Sequence, residues 1–295
     1  MKFVVSNTKN FIKIIISLCL FVYLTTLINW DIVFNLNYDF SIYVIVSVLI
    51  ALLFLGFMAI RWTILIASFS NERPKFSILY RYYLLGSFFN VFFPGAIGGD
   101  IMRIHYSNKK YHLGIQKATA IILFERISGL IGLSLIFSFS IFFNHTIADH
   151  INIDKQYILL FPFIVWIVNI FVKKISYKKG YTVSYRTINI VIFLSILGQF
   201  ADIFIAYILC YYFHLPITLG NLLTIMPLVY IVTVLPISLG GIGVREGAFV
   251  GLLALYGVGA STAVIISFLM YFIRILIGVI GWIVYLKEQV PEDNL

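Results

Sequence analysis

"FFPGAIGGDIMR", residues 92–103, interrupts an apolar stretch with one proline and three glycines, then sets an aspartate and an arginine three positions apart. The interruption matters because of what surrounds it. The 295-residue chain is 61% hydrophobic and only 11% charged, whereas a soluble domain carries about 25% charged residues. Nearly uncharged runs recur, such as "IIISLCLFVYLTTLI" (14–28) and "IYVIVSVLIALLFLGFMAI" (42–60). Runs of about 20 apolar residues match the hydrocarbon thickness of a bilayer. The pattern predicts an all-α, polytopic integral membrane bundle forming a single domain over 1–295. In such a protein an irregular break survives only where it is buried in protein or lines a wet cavity.

The net charge of +9 sits in particular loops and not in a stripe fit for nucleic acid, and basic loops mark the cytoplasmic side. Lys2, Lys9 and Lys13 precede a first span at about 14–28, which lacks a small-residue cleavage site and reads as uncleaved. The next loop, "NWDIVFNLNYDF", has two aspartates and no Lys or Arg. Further spans are expected at about 41–61, 118–143, 157–172, 187–213 and 261–285. Arg61, Arg73 and Lys75 are read as one cytoplasmic loop, and the five basic residues of "KKISYKKGYTVSYR" as another. Six full spans then place both termini in the cytoplasm.

Two apolar segments do not fit this alternation. Segment 76–107 begins and ends among positive charges, and segment 217–258 must begin and end on the opposite side. Each is therefore expected to be a re-entrant hairpin or a pair of half-helices. The second carries its own break, "PISLGGIGVREG" (236–247). Pro94, Gly98, Gly99 and Arg103 share the spacing of Pro236, Gly240, Gly241 and Arg245. Two such hairpins of opposite orientation form an inverted repeat, whose ligand site lies where broken helices meet near the midplane.

The chemistry expected at the breaks follows from residue type. Glycine pairs Gly98–Gly99 and Gly240–Gly241 allow close backbone approach, and the half-helix after each begins with free amides suited to an anion. Arg103 and Arg245 add guanidinium forks that match phosphate. The competing reading of each is an ion pair, with Asp100 or Glu246 as partner. Charged residues within spans require partners facing the bundle interior. These are Glu125 and Arg126 in "ILFERISGL", Asp202 in "GQFADIFIAY" and Arg274 in "YFIRILIG". Matching depths favour Asp202 with Arg274, as a coupling or purely structural pair, with Glu125 and Glu246 as competitors. Gly243, Gly247 and Gly251 recur every four residues and are expected to pack closely against a neighbouring helix. Neither the two cysteines nor the five histidines have metal-site spacing. No metal or cofactor is expected, and no Walker A motif supports direct ATP coupling.

With "FFNVFFPGAIGGDIMR", "FERISGLIGL" and "LPISLGGIGVREGAF" in place, the chain resembles the lysylphosphatidylglycerol synthase transmembrane family, the flippase-like half of multiple-peptide-resistance proteins. The resemblance spans essentially the whole chain. It implies a module that moves lipids, notably aminoacylated phosphatidylglycerol, between leaflets of a prokaryotic cytoplasmic membrane. The family positions matched are Pro94, Gly98, Gly99, Asp100, Arg103, Glu125, Arg126, Pro236, Gly240, Gly241, Gly243, Arg245 and Glu246. The chain ends at "LKEQVPEDNL" with no transferase domain after the last span, so lysyl transfer is not expected. The leading expectation is a translocator of an anionic phospholipid or a polyprenyl-phosphate-linked lipid, working passively or coupled to ions through Glu125, Asp202 or Glu246. Its headgroup groove is expected between the hairpins and span 118–143. The alternatives are a non-catalytic partner of envelope-biosynthesis enzymes and an intramembrane enzyme acting on a lipid phosphate.

Overall fold

The computed structural model describes residues 15, 18–20, 22–70, 73–92, 98–142, 144, 167, 184–234, 241 and 243–289. Among them nine helices and no strand occur: α1 (Trp30–Phe34), α2 (Phe40–Phe69), α3 (Phe76–Phe92), α4 (Gly98–Tyr111), α5 (Ile115–Ile141), α6 (Tyr185–Tyr212), α7 (Leu219–Val234), α8 (Val244–Ala254) and α9 (Ala260–Gln289). Four of these, α2, α5, α6 and α9, are long and apolar enough to cross a membrane. They coincide with four of the six expected spans. The expected span 157–172 lies outside the described residues apart from Ile167, and the span 14–28 is described only in part. At the end of the latter, Leu24 and Ile28 pack on Val264 and Ile265 of α9.

Segments 76–107 and 217–258 are each split into two shorter helices. At about 1.5 Å per residue the arms reach roughly 16–26 Å, less than the roughly 30 Å of a hydrocarbon core. α3 and α4 run antiparallel. The Gly99 amide donates to Asn90 Oδ1 at 2.9 Å, the Arg103 side chain lies along Gly86, and the Tyr82 and Tyr106 rings are 5.1 Å apart. Contacts therefore run down α3 as they run up α4. α7 and α8 do the same. Gly241 lies by Thr233, Arg245 and Phe249 share a wall with Met226, Val229 and Tyr230, and Asn144 bridges Thr224 (3.2 Å) and Tyr256 (2.7 Å) beyond the far ends. The turns themselves, residues 93–97 and 235–240, with Pro94, Pro236 and Gly240, lie outside the described residues.

α9 is the post on which both hairpins lean. Toward its C-terminus, Gly281 rests on the Leu84 carbonyl, Gly278 on Val91 and Phe92, and the Tyr285 ring meets those of Phe88 and Phe89 at 6.1 and 5.6 Å. Toward its N-terminus, Ala263 and Ile266 share an apolar cluster with Leu253 of α8. Ser267, Met270 and Arg274 face Tyr230, Arg245 and Phe249. The α3 tip and the α7–α8 tip thus approach α9 from its two ends and converge around Arg274.

Two sequence expectations change. α2 continues eight residues beyond Arg61, so this arginine is a buried helix residue and not part of a cytoplasmic loop. Its neighbours Trp62, Leu65 and Ile66 are buried, which anchors the extension in the bundle. Gly98 and Gly99 belong to the first turn of α4 and not to the break, and the space a Gly99 Cβ needs is filled by the Gly86 carbonyl and Asn90. Among the described residues the glycine ladder makes its close contact at its first member. Gly243, at a φ of 81°, abuts Leu20, but nothing among the described residues lies within 4 Å of a Cβ built at Gly247 or Gly251.

These contacts predict opposite outcomes for two glycines. Gly281→Val drives a side chain into the α3 backbone and lowers stability by about 1–3 kcal/mol or more. Gly247→Ala is neutral or gains up to about 1 kcal/mol. Thermal melting of the detergent-purified variants by gel filtration measures both.

Candidate functional site

Glu125, ten residues into α5, is the centre of a buried charge cluster; its side chain is 2% exposed. One carboxylate oxygen accepts from Arg61 Nε of α2 at 3.2 Å and from the Tyr83 hydroxyl of α3 at 2.7 Å. The other accepts from Arg103 Nη2 of α4. Arg61 also donates to Ser195 Oγ of α6 at 2.9 Å. The Arg103 guanidinium lies between aromatic faces, 3.9 Å from the Tyr83 ring centre and 4.4 Å from that of Trp62. Such cation–π contact partly replaces lost hydration. One turn nearer the break, Asp100 accepts from Arg126 Nε at 2.6 Å and lies 3.5 Å from Arg103 Nη1. Two successive residues of α5 therefore hold two positions of α4 that lie three apart, fixing the returning arm of the first hairpin.

The second cluster is built at the tip of the other hairpin. Arg274 Nη2 of α9 donates to Asp202 Oδ2 of α6 at 3.1 Å. The Tyr230 hydroxyl of α7 donates to the same oxygen and accepts from Arg274. Beside them Arg245 donates to its neighbour Glu246, with Nε at 3.0 Å, and the other Glu246 oxygen accepts the Gly243 amide at 2.7 Å. The Asp202 and Arg274 side chains are 29% and 30% exposed, against 2% for Glu125 and 9% for Arg103. The Asp202–Arg274 pair is thus the more accessible of the two carboxylate–arginine pairs.

Asp202 and Arg274 open onto a half-enclosed cavity of about 330 Å³, the lower end of the usual small-ligand range. Its walls come from the middles of α2, α6 and α9 and the tip of α3. The polar part of the wall is Ser87, Asn90, Asp202 and Arg274; Met58 and Ile277 are among the apolar remainder. α5, the span 118–143 against which a groove was expected, contributes no lining residue to this cavity. α2, the helix in widest contact with α6, forms that wall instead.

The expected site residues thus fall into two sets. Asp100, Arg103, Glu125 and Arg126 form the first, and Asp202, Arg274, Arg245 and Glu246 the second. Arg103 pairs with Glu125 and lies 3.5 Å from Asp100, and Arg245 pairs with Glu246, which is the competing reading of each arginine. One amide at each half-helix start is also occupied by a side chain, Gly99 by Asn90 and Gly243 by Glu246. Of the glycine pairs, Gly98 and Gly99 lie in helix α4, Gly241 has a φ of 81°, and Gly240 is outside the described residues. Arg61, Tyr83, Trp62 and Tyr230 were not among the expected site residues. The uncharged run "WTILIASF" after Arg61 carries the signal that its helix continues; nothing in the sequence distinguishes Tyr83 and Tyr230 from the other seventeen tyrosines. Among the described residues no group of three or more His, Cys, Asp or Glu side chains is placed to hold a metal.

Long apolar helices with paired charges turned inward define an integral membrane protein. The family profile of the lysylphosphatidylglycerol synthase TM region matches residues 10–175 and 157–281. The chain belongs to that family, and is a lipid-related membrane module. No curated protein matches it.

Removing one partner of a buried ion pair costs about 3–5 kcal/mol, so Glu125→Gln, which leaves Arg61 and Arg103 without a counter-charge, is expected to lower the melting temperature sharply. Arg126→Gln, whose side chain is 49% exposed, is expected to lose at most about 1 kcal/mol. Melting curves of the two purified variants in one detergent make the comparison.

Proposed function

We propose that this protein moves a phosphate-bearing lipid between the leaflets of a prokaryotic cytoplasmic membrane. The headgroup occupies the cavity between α2, α3, α6 and α9, its phosphate takes hydrogen bonds from Arg274, and the tails remain in the bilayer. The observation that carries this reading is the convergence of two short helical hairpins on Arg274 from opposite ends of α9, beside a cavity whose two charged side chains are Asp202 and Arg274.

The argument rests on access. A headgroup needs a polar station near the midplane, because a bare phosphate in hydrocarbon has no partner. In this reading the hairpins enter from opposite faces as an inverted repeat. Glu125 and Arg103 hold the first hairpin in shape and do not touch the lipid. The polar lining suits any lipid with a phosphodiester or phosphate near the interface, a phospholipid or a polyprenyl-phosphate-linked lipid alike. Membership of a family related to a phosphatidylglycerol-modifying synthase supports a lipid ligand.

The test is flipping of fluorescent phosphatidylglycerol in vesicles containing the purified protein, read by dithionite quenching. The wild type is expected to flip the lipid faster than protein-free vesicles. Arg274→Gln is expected to slow it by about 10–100-fold, the loss of a charged hydrogen bond worth about 1.5–3 kcal/mol. Arg186→Gln, at the exposed start of α6, is expected to flip normally. A folded Arg274→Gln protein with wild-type flipping removes the assigned phosphate contact.

A further inference from the structure

We infer that Asp202 makes the protein a proton co-transporter: each anionic headgroup that binds Arg274 displaces Asp202, which then takes up one proton, so lipid and proton cross together. This inference rests on the translocation reading above.

The geometry is that of a competition for one cation. Arg274 Nη2 reaches Asp202 Oδ2 and the Tyr230 hydroxyl, and of these two partners Asp202 lines the cavity with it. A phosphate oxygen entering the cavity needs those same donors. Two anions on one guanidinium in a low-dielectric site repel each other, and the arrangement relaxes when one of them is neutralised. The phosphodiester stays ionised because it is by far the stronger acid. The carboxylate is the group that accepts the proton.

The surroundings permit this at Asp202 and not at Glu125. From α7 Asp202 faces Tyr230, from α9 Arg274, and from α8 Arg245 lies close enough to act on it electrostatically. Arg245 is itself paired with Glu246, which also acts on Arg274. α2, α3 and α5 turn Met58, Ser87, Asn90 and Gly129 toward this part of α6, none of which ionises. Asp202 therefore has one hydrogen-bonded counter-charge, Arg274, and lines the cavity with it. Glu125 has two arginines and a tyrosine on it and is sealed, so a proton has neither a vacancy nor a path there.

The cycle balances. In the empty state Asp202 is ionised and paired with Arg274. On one face of the membrane a lipid monoanion takes the Arg274 donors, and one proton from that aqueous phase bonds to a carboxylate oxygen of Asp202. On the other face the lipid leaves, the proton returns to water, and the Asp202–Arg274 pair re-forms. Tyr230 keeps its proton throughout, donating to whichever anion is present. One negative lipid and one proton move in the same direction, with no net charge transferred.

The experiment uses full-length protein in phosphatidylcholine vesicles with a trace of fluorescent phosphatidylglycerol, a pH step across the membrane, and the potential clamped with potassium and valinomycin. Protein-free vesicles set the baseline. The expected result is net movement of the probe toward the alkaline leaflet, with a leaflet ratio of up to about tenfold per pH unit, the limit for one proton per lipid. Asp202→Asn is expected to flip more slowly and to settle at the same leaflet ratio with or without the pH step. Tyr230→Phe keeps the carboxylate and is expected to retain the response. Wild-type flipping that equilibrates the probe evenly despite the pH step overturns the coupling while leaving translocation intact. Absence of wild-type flipping overturns the translocation reading itself. Should Asp202→Asn fail to fold, the wild-type ratio alone decides.

Discussion

Inside hydrocarbon a charged side chain has no partner but another side chain, and a backbone group none but another backbone or a polar residue. The architecture of this protein follows from how that demand is met. Glu125 draws arginines from α2 and α4 and a tyrosine from α3 onto one carboxylate, and so ties four helices into one unit. Asp202 does the same with α7 and α9. Each carboxylate stands on a long helix, and each secures a hairpin whose separate arms are shorter than the hydrocarbon core.

The two clusters differ in a way that divides structure from function. At Glu125 cations outnumber the anion, aromatic faces cover the guanidinium, and the group is closed. At Asp202 the charges match one for one, and both side chains face a cavity. A closed cluster resists change because any rearrangement strands a charge. An open pair is able to exchange partners with a ligand of the right sign. In the proposed cycle the lipid and the proton bind at the second cluster for that reason, while the closed cluster holds the first hairpin.

Much of this was legible in the sequence where hydrophobic runs and charges speak separately. Four span positions, the splitting of 76–107 and 217–258, and the matching depths of Asp202 and Arg274 all follow from those patterns. What escaped was charge placed inside an apolar run near its end. Arg61 has the features of a loop residue when basic residues are read as markers of the cytoplasmic side, yet α2 continues to Phe69 because Glu125 waits for it. For Arg103 two readings stood open, a phosphate ligand and an ion pair with Asp100. It lies 3.5 Å from Asp100 and is held chiefly by Glu125, which the sequence did not pair with it. Its actual surroundings depend on α5, which contacts α4 from 22 residues further along the chain. Glycine spacing was a partial guide: Gly243 abuts Leu20. Gly278 and Gly281 of α9, outside the ladder, also make close helix contacts, and Gly247 and Gly251 have no described residue within 4 Å of an added Cβ.

The account stands on two hairpins that enter from opposite faces and meet beside Arg274. The most direct measurement replaces Cys19 and Cys210, then introduces single cysteines at exposed hairpin bases: Ser77 and His112 for the first, Gly220 and Gly259 for the second. An impermeant thiol reagent is applied to either face of oriented membrane vesicles. The account predicts labelling of Ser77→Cys and His112→Cys from the cytoplasmic face only, and of Gly220→Cys and Gly259→Cys from the opposite face only. Labelling of all four from one face, or of the two bases of a single hairpin from different faces, contradicts it.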